Sequence, residues 1–237
     1  MEKKVVLLKL TGRILGNGSA LSSEPFEKLI SQIRELTKQC RLAIVIGGGN
    51  ILRGDLQGVA LGLSPTIGHQ AGMLATIING LMVQDILKQN DIQTCLLSSI
   101  VCPQICQTAS QDNINKALEQ DKVIIFSGGT GAPFFTTDTN MVVRALQIGA
   151  TEVWKATGVD GIYEADPAKD KNAKLIKKIT YADAISQKLG ILDATALTLA
   201  KKHSIIMRVF NIFQDNSLIK AWQDNNFGSV IKRLNLK

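Results

Sequence analysis

The stretch VVLLKLTG, residues 5–12, decides the fold class: an apolar run of strand character ends in a lysine, a hydroxyl and a glycine. The same grammar returns in LAIVIGGGN (residues 42–50), VIIFSGGTG (123–131) and EVWKATGVDG (152–161). In an open, mainly parallel sheet the carboxyl ends of the strands share one edge, and ligands bind in the crevice there. Glycines let backbone N–H groups approach an anion closely, hydroxyls donate to it, and Lys9 and Lys155 add positive charge. Such loops repeated along one edge suit a long, highly phosphorylated ligand.

Working outward, strands are expected over residues 4–10, 42–46, 94–97, 123–126, 152–156 and 205–210. Helical patterns lie between them. Residues 23–39 place Phe26, Leu29, Ile30, Ile33 and Leu36 on one stripe, and residues 71–88 place Met73, Leu74, Ile77, Ile78, Leu81, Met82 and Ile86 on another. Shorter helices are expected over 112–119, 138–147, 181–189 and 192–203. This alternation predicts a three-layer α/β/α sandwich around a mainly parallel sheet. No linker-like segment divides the chain, so residues 1–237 read as a single domain. The segments 13–22 and 50–67 read as long irregular connections, either flexible or a substrate lid.

Composition narrows the partners. The 237 residues are 45% hydrophobic and 20% charged, which is a globular and not a disordered balance. A formal charge of +7 suits polyanions, but aromatics at 5% disfavour a base-stacking surface, and no nucleic-acid partner is expected. No segment has the length of a membrane span or the form of a secretory signal. The cysteines, Cys40, Cys95, Cys102 and Cys106, therefore read as free thiols in a reducing cytoplasm, and no metal site is expected from the CPQIC spacing.

Each strand tip carries chemistry and a plainer alternative. Gly47, Gly48 and Gly49 form either a phosphate cradle or a tight turn, and Arg53 nearby favours phosphate. Lys9 is either a point charge for nucleotide phosphates or a snorkelling side chain. In SGGTGAPFFTTDTN (residues 127–140), Thr136 or Thr137 reads as a helix N-cap with Asp138 in the first turn, an anion-binding arrangement. The neighbouring Phe134–Phe135 pair suits a nucleoside pocket. In KATGVDGIYEADP (155–167), Tyr163 and Asp166 could hold a base and ribose, or simply turn the chain. No GxxxxGK[ST], HExxH or GxSxG motif occurs.

Taken in order, KLTG, VIGGGNILRG, GMLATIINGL, TGAPFFTTD, KATGVDGIYEADP, ILDATALTLA and MRVFN resemble the bacterial uridylate kinases of the amino acid kinase family, over residues 4 to about 210. The resemblance implies an amino acid kinase-like fold and transfer of the γ-phosphoryl of ATP to UMP, with Mg²⁺, in pyrimidine nucleotide biosynthesis. It also implies a cytoplasmic homohexamer under GTP and UTP control. Lys9 and Asp138 would be catalytic. Lys9, Leu10, Thr11, Gly12, Gly49, Arg53, Thr157, Tyr163 and Asp166 would hold ATP. Gly48, His69, Thr130, Gly131, Ala132, Pro133, Phe134, Phe135, Thr136 and Thr137 would hold UMP. The N-terminal part would mainly carry the acceptor site and the C-terminal part the ATP site. Two departures stand out: where the family's first motif reads KLSGE, this chain has Thr11 and Arg13, and His69 stands where the family has an aspartate on the UMP ribose. The His69 departure predicts altered UMP affinity.

Two other functions fit the same loops less well. A small-carboxylate or carbamate kinase would want acceptor arginines in place of TGAPFFTTD. A non-catalytic nucleotide- or oxyanion-binding protein would be expected to lack Lys9 or Asp138, and both are present.

Overall fold

The computed structural model describes residues 3–16, 21–53, 57–187, 189–190 and 192–233. In chain order the elements are β1 (Val5–Leu10), a 3-10 turn (Gly12–Leu15), α1 (Glu24–Gln39), β2 (Arg41–Ile46), α2 (Gln57–Ala60), α3 (Pro65–Gln89), β3 (Thr94–Ser98), β4 (Gln107–Thr108), α4 (Gln111–Glu119) and β5 (Val123–Ser127). There follow α5 (Thr137–Gln147), β6 (Glu152–Thr157), β7 (Ile162–Tyr163), β8 (Leu175–Ile176), β9 (Lys178–Thr180), α6 (Tyr181–Ser186), α7 (Ala194–Lys202), β10 (Ile206–Asn211), α8 (Ser217–Gln223) and β11 (Ser229–Lys232).

Nine strands form one sheet in the order β4-β3-β5-β2-β1-β6-β10-β11-β9, while β7 and β8 pair separately. Among the described residues of the large sheet only β10 and β11 pair antiparallel. After β1 the chain fills one side of the sheet up to β5, then crosses to lay β6 against the other side of β1. That reversal is a topological switch point, and it opens a crevice at the carboxyl ends of β1 and β6.

The period-2 alternation of the strands sends their side chains into two cores. Val6, Leu8 and Leu10 join the core built with α1, α3 and α8. Leu7 joins the opposite core, built with α4, α5, α6 and α7. Lys9 has the parity of Leu7 and so belongs to the α5 side. Its register partner on β6 is Lys155. Around that lysine, Val153 lies in the α5 core while Trp154 and Ala156 lie in the other. The two lysines therefore emerge side by side from neighbouring strands, toward the same layer of helices.

The expected stripe of α1 is buried in full. The long helix α3 departs from expectation in two ways. It starts at Pro65, within the segment read as irregular, because a proline at the first turn presets the helical φ and lacks only an amide that has no partner there. Its buried face is also only partly the expected one: of that stripe Ile77 is buried and Met82 and Ile86 pack against the core. Ala75, Thr76, Asn79, Gly80, Val83 and Leu87 face inward, while Leu74, Ile78 and Leu81 are exposed. Close approach to the sheet decides this: a Cβ on Gly80 would stand 2.8 Å from Leu96 Cδ1. Of the irregular segment 50–67, residues 54–56 lie outside the described residues and Gln57–Ala60 form α2. Of 13–22, the start continues the 3-10 turn and residues 17–20 lie outside the described residues. The helix expected over 181–189 stops at Ser186.

Candidate functional site

Local sequence places the central carboxylate. Thr136 is the N-cap of α5, accepting from the amides of Asp138 and Thr139, which fixes Asp138 in the first turn. Lys155 Nζ donates to Asp138 Oδ2 at 2.7 Å, and Lys9 Nζ lies 3.3 Å from Oδ1. All three side chains are largely buried, between 13% and 16% exposed. Burial pushes the Asp138 carboxyl up, but the Lys9 and Lys155 ammoniums outweigh it and hold the group below its ordinary value. Burial pulls the Lys155 ammonium down; Asp138 opposes this and Lys9 reinforces it, so the net shift is downward. Two cations against one anion leave a surplus positive charge in a poorly solvated place, which suits phosphate oxygens. Asp138 Oδ1 makes no well-aligned hydrogen bond and is met only by the Lys9 ammonium.

This cluster joins two cavities. One, of about 440 Å³, is lined by Lys155, Thr157, Tyr163, Asp166, Leu189 and Val209 among others. It runs along the turn after β6. The other, of about 240 Å³, lies between the start of α3 and the loop before α5, lined by Gly48, Gly49, Arg53, His69, Thr76, Gly129, Phe135, Thr136 and Thr137 among others. Lys155 lines the first, and Asp138 follows directly on Thr137 of the second.

Buried amides lock the second cavity's floor. Asn79 Nδ2 donates to Gly47 O and to Asn50 Oδ1, both at 2.7 Å, and Asn50 Nδ2 donates back at 3.2 Å. Thr76 Oγ1 accepts from Gly128 N at 2.8 Å and so ties α3 to the GGTG turn. Gly48 is needed for close packing, since a Cβ there would meet Gly72 O at 2.8 Å. The plainer reading of that glycine therefore holds alongside the functional one. Phe134 adopts a left-handed φ of 70°, a strained choice for a bulky residue. Its ring centroid lies 4.8 Å from that of His69, which lines the cavity.

The residues singled out from sequence distribute as follows. Lys9 and Asp138 meet at the cluster. Thr157, Tyr163 and Asp166 share the larger cavity. Gly48, His69, Phe135, Thr136 and Thr137 share the smaller one, and Gly49 and Arg53, assigned by resemblance to ATP, line it too. Leu10 is different: its side chain is wholly buried in the core and its carbonyl accepts from Gly47 N, so it offers a ligand little. Thr11 accepts from Arg13 N, and Gly12 is pressed against Asn50 and Gly47. Thr130, Gly131, Ala132 and Pro133 form the outer turn of the loop, with Thr130 Oγ1 bonded to Ala132.

Two site residues had weaker signals. Lys155 was visible as a charge at a strand tip, but its pairing with Asp138 depends on the β1–β6 register. Asp193 looked like part of a helix start; it caps α7 through Ala196 N and also accepts from Thr136 Oγ1 and Thr139 Oγ1, anchoring the first turn of α5.

Comparison with known proteins agrees with this geometry. The model of the amino acid kinase family matches residues 4–211. The uridylate kinase of Mannheimia succiniciproducens is 39% identical over 231 residues, covering 96% of this chain and 97% of that protein. The uridylate kinase of Mycoplasma genitalium is 40% identical over 231 residues, covering 96% and 95%. The crystal structure of UMP kinase from Ureaplasma parvum superposes with a TM-score of 0.92 at 34% identity, covering 98% of this chain and 100% of that one.

Proposed function

Because this chain belongs to the amino acid kinase family, we propose that it transfers the γ-phosphoryl group of ATP to UMP, giving ADP and UDP. The observation that carries the reading is the Lys9–Asp138–Lys155 cluster at the meeting of two cavities, one for each nucleotide. ATP takes the larger cavity, with its phosphates toward Lys155. UMP takes the smaller, with its phosphate toward Arg53 and the start of α5. In this reading acceptor contacts come mainly from the N-terminal part of one domain, joined by residues 129–137, and donor contacts mainly from the C-terminal part.

The chemistry asks little of the side chains beyond position and charge. An oxygen of the UMP phosphate forms a bond to the γ-phosphorus, the bond to the β–γ bridging oxygen breaks, and its electron pair leaves on ADP. The acceptor phosphate is already ionised at neutral pH, so no strong base is needed. Lys9 and Lys155 offset the negative charge on the transferred group and on the leaving oxygen. Asp138 holds both ammoniums in place.

Mg²⁺ arriving with ATP fits this site through one atom. Asp138 Oδ1 is buried and met only by a loose ion pair with Lys9 at 3.3 Å, and magnesium in such sites is held by substrate phosphates and one or two carboxylates. When bound, the ion neutralises charge on the phosphates.

The chain assembles as a homohexamer in this reading, and GTP and UTP act as effectors. The exposed stripe of α3, Ile67, Leu74, Ile78 and Leu81, each more than 40% exposed, supports self-association. The place of action is the cytoplasm; among the described residues no helix is long and apolar enough to cross a membrane.

A coupled ADP-release assay with UMP, CMP and dUMP, alongside glutamate, aspartate and carbamate, tests the function. ADP release that depends on UMP is the expected result. Release with a carboxylate or carbamate but not UMP, or none with any acceptor, would contradict it.

A further inference from the structure

Behind the acceptor loop lies a buried cation that phosphoryl transfer leaves idle. Arg144, on the inner side of α5, is 5% exposed. Its Nε donates to Asn140 Oδ1 at 3.3 Å, its Nη1 to Gln147 Oε1 at 2.5 Å and its Nη2 to Ser99 Oγ. Its guanidinium carbon stands 5.1 Å from the centre of the Phe126 ring. No carboxylate pairs with it among the described residues. An unpaired buried charge is costly, so its retention calls for a reason.

The reason lies one bond further on. Ser99 Oγ donates in turn to Gly129 O at 2.6 Å. A hydroxyl that accepts from a cation is polarised and becomes a stronger donor. Gly129 lines the acceptor cavity, and both it and Gly128 hold left-handed φ values, of 57° and 71°. Gly131, at φ 83°, closes the same turn directly over Ser99: a Cβ there would stand 3.2 Å from both Ser99 Cβ and Ser99 O. Ser99 is thus wedged beneath the turn, with Arg144 gripping it from the far side.

We propose that Arg144 is a positioning residue for the acceptor subsite, shaping the turn over residues 128–131 through Ser99 and so setting the affinity for the nucleoside monophosphate. The inference rests on the acceptor assignment made above.

Steady-state kinetics of the full chain carrying Ser99→Ala, Arg144→Lys, Arg144→Met or Thr137→Ala test it. Ser99→Ala and Arg144→Met should each raise the KM for UMP about tenfold, the effect of losing one charge-assisted hydrogen bond. Their KM for ATP and kcat should stay within about twofold, since the donor cleft is untouched. Arg144→Lys should fall between, keeping the charge but not the three-way fork. An unchanged KM for UMP in folded Ser99→Ala, or an equal rise for ATP, overturns the proposal. Should Arg144→Met fail to fold, Ser99→Ala decides alone, because it removes a single oxygen. Thr137→Ala changes the cavity wall itself. A rise with Thr137→Ala and none with Ser99→Ala overturns only the positioning role; no rise with either overturns the acceptor assignment and the role with it.

Discussion

The amino and carboxyl ends of β6 each hold one carboxylate between two cations, yet the two clusters are built for different ends. At the amino end, Glu152 sits between Lys4 and Arg208. Its Oε1 accepts from Trp154 Nε1 at 2.8 Å and Arg208 Nε at 3.3 Å, and its Oε2 from Lys4 Nζ. The Arg208 fork is completed by the carbonyls of Asp224 and Phe227, and none of these charged groups lines either of the two cavities. At the carboxyl end, Asp138 faces two ammoniums, Lys9 only loosely at 3.3 Å, and Lys155 opens onto the larger cavity. A cluster whose members satisfy one another holds the sheet together; one that keeps unspent charge at a cavity is waiting for a ligand.

The sharpest way to break this contrast is to remove one charge from each end. Lys9→Met should lower kcat about 1000-fold, the scale of losing a transition-state cation, while the melting temperature moves by only about 2 °C. Steady-state assay and a circular-dichroism melt would read both. Glu152→Gln should do the reverse. Leaving Arg208 buried without its partner costs about 3 kcal/mol, or roughly 8 °C in a chain of this size, with kcat kept within about twofold.

The pH dependence separates the ends further. Glu152 is pushed up by burial but held below 4.5 overall by Lys4, Trp154 and Arg208, and Asp138 is held below 3.8. A carboxylate with a depressed folded pKa contributes stability that is complete above its unfolded value and lost as pH falls through the folded one. Acid unfolding should therefore set in below pH 4.5, and Glu152→Gln should flatten that dependence. The alkaline side belongs to catalysis. Lys155 titrates below 10.5, so kcat should decline before an ordinary lysine would lose its proton, and Lys155→Arg should move that limb upward. The smallest effect is expected at His69, where an aspartate would accept from a ribose hydroxyl. His69→Asp should lower the KM for UMP about threefold, within the range of one hydrogen bond; an unchanged or higher constant would place the imidazole away from the ribose.

The same contrast shows what a sequence can disclose. The α/β sandwich was legible because strand alternation and the α1 stripe are local signals. Lys9 and Asp138 stood out because a charge at the tip of an apolar strand and an acid after a Thr-Thr cap are both unusual in short windows. Their convergence with Lys155 was not legible, since it depends on which strands become neighbours. The apolar stripe of α3 was only half legible, with Ile77 buried but Leu74, Ile78 and Leu81 exposed, because that helix has apolar residues on more than one side and the tight fit of Gly80 against Leu96 selects the inner face. β4, β7, β8, β9 and β11 have two to four residues each, too few to show a period. Arg144 carries no signal in the sequence, because its burial beside Ser99 depends on how α5 packs against the sheet.

The central claim is most directly tested by a crystal structure with a bisubstrate analogue that links uridine and adenosine through a chain of phosphates. Phosphate oxygens within hydrogen-bond reach of Lys9 and Lys155, with uridine against Phe135 and adenosine beside Tyr163, is the predicted result. An analogue seated instead in the separate cavity of about 550 Å³ beside β9 and β11, leaving both lysines untouched, would contradict it.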